Sequence, residues 1–151
     1  MVFALLAFVW FMWDLNRRLR DRGGMMITFG TVFVTLALVS ALVRAAIPGG
    51  KLFGSTPVPP GADIARQFDN VGFAVLLVAG ALAAGAFTAT ASHLARRDAI
   101  LPGWLTIAGY VVAVLMLAAG FFLPFVFFPL WVLVTSIVLV RRTAESTPAT
   151  S

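Results

Sequence analysis

From Ile100 to Val140 the chain runs for 41 residues without one charged side chain. A helix rises about 1.5 Å per residue, so as a straight rod this run would reach roughly 60 Å, twice the hydrocarbon core of a bilayer. Its middle reads AAGFFLPFVFFPLW. Gly120 loosens a helix there, while Pro124 lacks an N–H and disfavours helical geometry in the residue before it. The run therefore reads as two helices, about 101–122 and about 125–140, joined by a tight turn near Gly120–Pro124. Pro129 falls in the first turns of the second, where proline is tolerated more easily. One long helix kinked at Pro124 is the alternative.

The rest of the chain follows the same pattern. Met1–Trp13 is apolar without a break, Met25–Ile47 carries a single charge, Arg44, and Val71–Ser92 carries none. Of all residues 61% are hydrophobic and 11% charged, with a mean hydropathy of +1.00. A soluble domain is about a quarter charged, so too little polar surface exists here to cover a globule in water. The expected fold is all-α: an integral membrane bundle of about five helices, with spans about 1–15, 25–47, 71–92, 101–122 and 125–140. Residues 48–70 are expected to form an external loop and 143–151 a disordered cytoplasmic tail.

Charge placement favours two helices over one in the long apolar run. Arg17, Arg18, Arg20 and Arg22 follow the first run, Arg96 and Arg97 the third, Arg141 and Arg142 the last. With two spans in Ile100–Val140 all three clusters lie on one side of the membrane. The opposite side then holds Lys51, Arg66 and Arg44, offset by Asp63 and Asp69. This is a positive-inside pattern with a cytoplasmic C-terminus, expected for a multi-pass protein of a bacterial inner membrane. The net charge of +5 is thus distributed as topology signals, with no basic stripe interleaved with stacking aromatics, and nucleic acid is not expected as a partner.

The loop PGGKLFGSTPVPPGADIARQFDN opens with helix-ending Pro48, Gly49 and Gly50. Its ADIARQF stretch suits a short amphipathic helical turn lying in the headgroups. Facing outward, it is the stretch most available to an external partner, although connectors ordinarily only connect.

Few side chains here can carry chemistry. Cysteine is absent, which removes disulfides, thiolate metal sites and thiol nucleophiles together. Arg44 is the best-placed ionisable group, near the end of the second run. Its stem can snorkel to the outer interface, and Asp63 or Asp69 is a possible partner. Asp14 stands at the inner end of the first run beside Asn16 and Arg17, as an interfacial ion pair would. His93 is the one histidine, where metal sites need three or four ligands; it suits a helix C-terminus beside Arg96 and Arg97.

Thr28, Thr31 and Thr35 share a helix face and hydrogen-bond either their own backbone or a neighbouring helix, with a hydroxyl-lined path as the alternative. Gly72, Gly80 and the Ala81-x-x-x-Gly85 pair make the third run suitable for close helix packing, within the chain or with a membrane-protein partner or second copy. Trp10, Trp13 and Trp104 fall where aromatic belts sit, and Phe121 to Phe128 reads as lipid contact. No paired carboxylates, nucleophile–base set, phosphate loop or cofactor motif is present, so neither an enzyme nor a cofactor is expected.

Two stretches carry a family resemblance. LPGWLTIAGYVVAVLMLAAGFFLPFVFFPLWVLVTSIVLVRR holds a Pro102-x-Trp104-Leu105 start, a turn centred on Pro124 and Pro129, and a Leu130–Arg142 ending. With the opening FVWFMWDLNRRLRDRGG, it resembles a family of small actinobacterial membrane proteins of unassigned activity. The resemblance implies a multi-pass helical fold of about six spans and brings no catalytic residues. The opening segment resembles that family's second helix and the basic loop after it. The chain's first thirteen residues have reversed signal-peptide polarity and cover only about 20 Å. Met1 is therefore expected to be an internal start, with one upstream helix missing.

Two functions lead: a non-catalytic accessory or structural membrane component, and a small transporter or channel-like subunit using Arg44 and the Thr28/Thr31/Thr35 face; a membrane enzyme acting on lipid ranks last, for want of an acid, base or metal set.

Overall fold

The computed structural model describes residues 2–19, 24–52, 54, 61–117 and 124–145. Among these every regular element is helical and no strand occurs. Helix α1 spans Val2–Arg18 and α2 spans Met25–Leu52. Next, α3 (Ala62–Ala74), a π-helical stretch (Val75–Gly80) and α4 (Ala81–Arg97) form one continuous rod. Then come α5 (Gly103–Leu117) and α6 (Pro124–Glu145). The Met25–Gly50 and Ala62–Arg97 helices are long and apolar enough to cross a membrane, and Gly103–Leu117 and Val126–Arg141 are shorter apolar helices.

Several boundaries differ from expectation. Helix α2 continues through Pro48, Gly49 and Gly50 to Leu52. Proline there leaves the Arg44 carbonyl without its helical N–H, one bond in a 28-residue helix, and the helix continues past it. The ADIARQF stretch is helical but begins the longest rod instead of lying apart as a short surface turn. Nothing after Asn70 breaks it: Gly72 lies inside the helix, and the chain advances directly into the Val75–Gly80 turn. The span expected at 71–92 therefore reaches from Ala62 to Arg97. At the C-terminus Thr143–Glu145 extend α6, since nothing in Arg141–Glu145 interrupts its backbone bonds. The remainder of the tail, residues 53 and 55–60 of the loop, and residues 118–123 lie outside the described residues.

The long apolar run does divide. Trp131 of α6 packs against Gly109 of α5 and donates its indole N–H to the Leu105 carbonyl at 3.4 Å. One kinked helix cannot lay its own halves side by side in this way. Pro124 opens α6 at the position where proline's missing N–H costs no helical bond.

Contact pairs set the helix directions. Phe8 meets Phe33 and Met12 meets Gly30, so α1 and α2 are antiparallel. Gly72 lies against Ser40 and Arg44 while Phe87 lies against Gly30, so the long rod returns antiparallel to α2. Gly85 against Ala113 and Gly109 against Ser92 turn α5 back along α4. Along α1 and α6, Leu5 shares a cavity wall with Pro129, and Asp14 shares another with Val140, so these two helices are parallel. The arginine-bearing ends Arg17–Arg18, Arg96–Arg97 and Arg141 consequently fall at one end of the bundle. Arg44, Asp63, Arg66 and Asp69 fall at the other.

The centre is an aromatic cluster drawn from four rods. Phe8, Phe33, Phe87 and Phe128 stack edge-on or tilted, with centroids 5.2–6.3 Å apart. Such tilted contacts bring positive ring edges to negative faces. Phe128 was expected in lipid contact with its neighbours but is buried here, because the start of α6 turns that side of the helix toward Phe33 and Phe87. The Ala81-x-x-x-Gly85 pair is covered from within the chain: a Cβ on Gly85 would stand 3.2 Å from the Ala113 carbonyl and from Met116 Cβ. That spacing requires α4 and α5 to touch nearly backbone to backbone.

Candidate functional site

Arg44 is joined to the rod that follows it. Its Nε donates to Asp69 Oδ1 at 2.6 Å, and one turn earlier on α2 the buried Ser40 hydroxyl donates to the Gly72 carbonyl, also at 2.6 Å. Gly72 makes this possible, since a Cβ there would come within 2.5 Å of Arg44 Cγ and 2.9 Å of the Ser40 carbonyl oxygen. The arginine stem thus lies flat across a glycine and carries its guanidinium out to the acid. Of the two acids suggested by sequence, Asp69 is the partner. The Asp14–Arg18 and Arg97–Asp98 pairs are local, four residues and one residue apart, whereas Arg44–Asp69 ties two helices together. Both its side chains stay about half exposed, at 45% and 58%.

The threonine face offers no lined path among the described residues. Thr28, Thr31 and Thr35 are all exposed on α2. Thr28 donates to the Gly24 carbonyl and Thr35 to the Thr31 carbonyl, each at 2.9 Å. Both hydroxyls are therefore used within their own helix, one of the two local roles anticipated. Asp14 pairs with Arg18 at 2.9 Å, and the Arg17 guanidinium stacks 4.8 Å from the Trp13 ring centroid. His93 is exposed near the end of α4 with Nδ1 3.5 Å from the Tyr110 hydroxyl. No group of three or more His, Asp or Glu residues that could hold a metal ion occurs among the described residues.

Two features were not found from sequence. The first is a polar seam in the packing of α4, α5 and α6. Thr88, Ser92, Thr106 and Thr135 are buried; Thr88 donates back to Ala84, while Ser92 Oγ and Thr135 Oγ1 find no partner among the described residues. Ser92 Oγ and the Trp131 indole N–H crowd the same spot on Gly109. A serine four residues from Thr88 and a glycine in an apolar helix were the available signals, but neither says which helix it faces.

The second is a groove between α1 and α6, whose backbones stay apart. Its main part is an apolar cavity of about 540 Å³ with Phe8, Phe11, Phe33 and Phe128 among its walls. A smaller cavity of about 250 Å³ shares Ala7, Phe11 and Ser136 with it and continues to Asp14, Leu139 and Val140. This is a volume in which ligands are commonly bound, about 300–1,000 Å³. Apart from Ser136, Asp14 and the indole N–H of Trp10, its lining side chains are apolar.

Comparison with protein-family models, with curated proteins and with solved structures finds no match to this chain.

Proposed function

We propose that this chain is a multi-pass integral protein of a bacterial membrane, serving as a non-catalytic accessory or structural component, with its arginine-rich end in the cytoplasm. One observation carries the reading. The outside of the bundle is apolar on every rod, with Phe3, Leu42, Val78, Ile107 and Leu133 each at least half exposed, while Ser40, Thr88, Ser92, Thr106 and Thr135 are inside. Contiguous apolar surface of this extent is stable only against lipid or another protein. The three arginine-bearing helix ends gathered at one end of the rods add the charge asymmetry that orients such a bundle. Kinship with the small actinobacterial membrane family belongs to the same proposal.

The non-catalytic part rests on where the ionisable residues stand. Asp14, His93, Arg96 and Arg97 are near helix ends, and Arg44 reaches an exposed acid instead of an interior path. Those positions, with Thr28 and Thr35 bonded to their own helix, support an accessory role over a transporter built on Arg44 and the threonine face.

The cysteine-free chain makes the test direct. Gln67→Cys, exposed at the Arg44 end, should react with a membrane-impermeant maleimide in intact cells, and Gly103→Cys at the arginine end only after permeabilisation. Release of the protein by alkaline carbonate would refute membrane integration, and a reversed labelling pattern would refute the orientation.

A further inference from the structure

Resting on that membrane reading, we propose that the α1–α6 groove is a binding site for one anionic phospholipid of the cytoplasmic leaflet. An acyl chain lies along the aromatic floor, and the phosphate is held at the arginine end.

Length, lining and charge agree on this occupant. The groove follows α1 from Ala4 to Asp14, ten residues or about 15 Å of helix, which is the depth of one leaflet's share of a ~30 Å core. Its deep part is walled by aromatic rings and aliphatic side chains, the surface an alkyl chain matches and a polar solute does not. Its shallow part ends at Asp14 and Val140. Arg17 lies three residues beyond Asp14 on α1, is exposed, and sets its guanidinium over Trp13 beside Trp10 of the groove wall. Asp14 is the acid facing this mouth, and Arg18 pairs it at 2.9 Å. Arg17 and Arg18 against one carboxylate leave the α1 side of the mouth net positive, so it favours phosphate over a neutral headgroup. Trp10 and Trp13, exposed at the same level with rings 6.1 Å apart, suit the boundary between acyl chains and headgroups.

A second protein helix, about 10–12 Å across with its side chains, is too large for a cavity of about 540 Å³, whereas a single alkyl chain fits it.

The test uses the full chain purified in maltoside micelles, with phosphatidylglycerol or phosphatidylcholine of identical acyl chains added and retention read by native mass spectrometry. One phosphatidylglycerol per chain should be retained in preference to phosphatidylcholine. Ala7→Trp, which puts a large side chain at the exposed residue common to both cavities, should abolish retention; Ser136→Leu, from the opposite wall, should do the same. Arg17→Gln should keep the alkyl contact but weaken the preference by roughly 5-fold. Equal retention of the two lipids by the unaltered chain, or unchanged retention in both groove-filling variants, would overturn the site. Carbonate extraction of membranes carrying the same protein separates the failures. A chain that is stripped off overturns both readings, while an integral chain without headgroup preference overturns only the lipid site.

Discussion

Gly109→Ala is the substitution with the largest effect for the smallest change in atoms. A single methyl at this point on α5 would run into Ser92 Oγ from α4, and it would stand 2.9 Å from Trp131 Nε1 and 3.1 Å from Trp131 Cε2 of α6. The serine hydroxyl can turn away, but the indole is held by its bond to the Leu105 carbonyl and is almost fully buried. Overpacking a filled core costs about 1–3 kcal/mol, and a site closed by a buried serine on one side and a fixed ring on the other belongs at the upper end. Replacing glycine by alanine in a helix returns up to about 1 kcal/mol of backbone entropy. The net loss should be about 2 kcal/mol, roughly a 30-fold fall in the folded-to-unfolded ratio.

Ser92→Ala alone removes a buried hydroxyl that has no described partner, so it should be neutral or slightly stabilising. In the double variant about 1 kcal/mol should be recovered, since only the Trp131 contacts then remain. Unfolding in mixed micelles with increasing dodecyl sulfate measures all four corners of this cycle. A Gly109→Ala midpoint indistinguishable from the parent, or a strictly additive cycle, would refute the packing argument.

The remaining predictions concern the ends of the bundle. Ser40→Ala should cost about 1 kcal/mol, because a buried interhelical hydrogen bond of 2.6 Å disappears, whereas Arg44→Gln should cost no more than about 0.5 kcal/mol because its ion pair is half exposed. The same micelle titration ranks them, and the opposite order would show that the ion pair holds α2 to α3. At the end of α4, Ala99 has φ +51°, and the Ile100 N–H bonds back to the Ala95 carbonyl at 3.1 Å, as a left-handed helix cap requires. Ala99→Gly should therefore raise stability by about 0.5–1 kcal/mol, and a loss of stability would mean that the cap is not the populated form.

Hydrophobic runs and the residues interrupting them made the rods legible in advance, because helix length and charge spacing are local properties. Division of Ile100–Val140 near Pro124 is the clearest example. Ends were less legible: Pro48-Gly49-Gly50 carries the composition of a stop, yet the loss of one hydrogen bond did not outweigh continuation of α2 to Leu52. Faces were least legible. In a nearly uniform apolar helix such as GWLTIAGYVVAVLML, no polar stripe says which side turns inward. Phe127 and Phe128 are adjacent in sequence and alike in chemistry, but one is 45% exposed and the other 5%. Asp69 was named beside Asp63 as a partner for Arg44; choosing between them required the helical phase of a segment read as loop.

That phase has a further consequence at Val75–Gly80. Here the Ala81 N–H bonds to the Leu76 carbonyl, five residues back, so the turn holds one residue more than an α-helix would place there. Every residue beyond it is rotated by about 100° relative to an uninterrupted helix. Gly72 faces α2 before the wide turn, and Phe87 and Thr88 face the interior after it. Deleting a single residue from this stretch would give a locally better-bonded helix and turn Phe87 away from the aromatic centre. Insertions and deletions that a surface loop absorbs without penalty are thus ruled out in the middle of this rod. The wide turn works as a register key, keeping two lengths of one helix matched to the same neighbour.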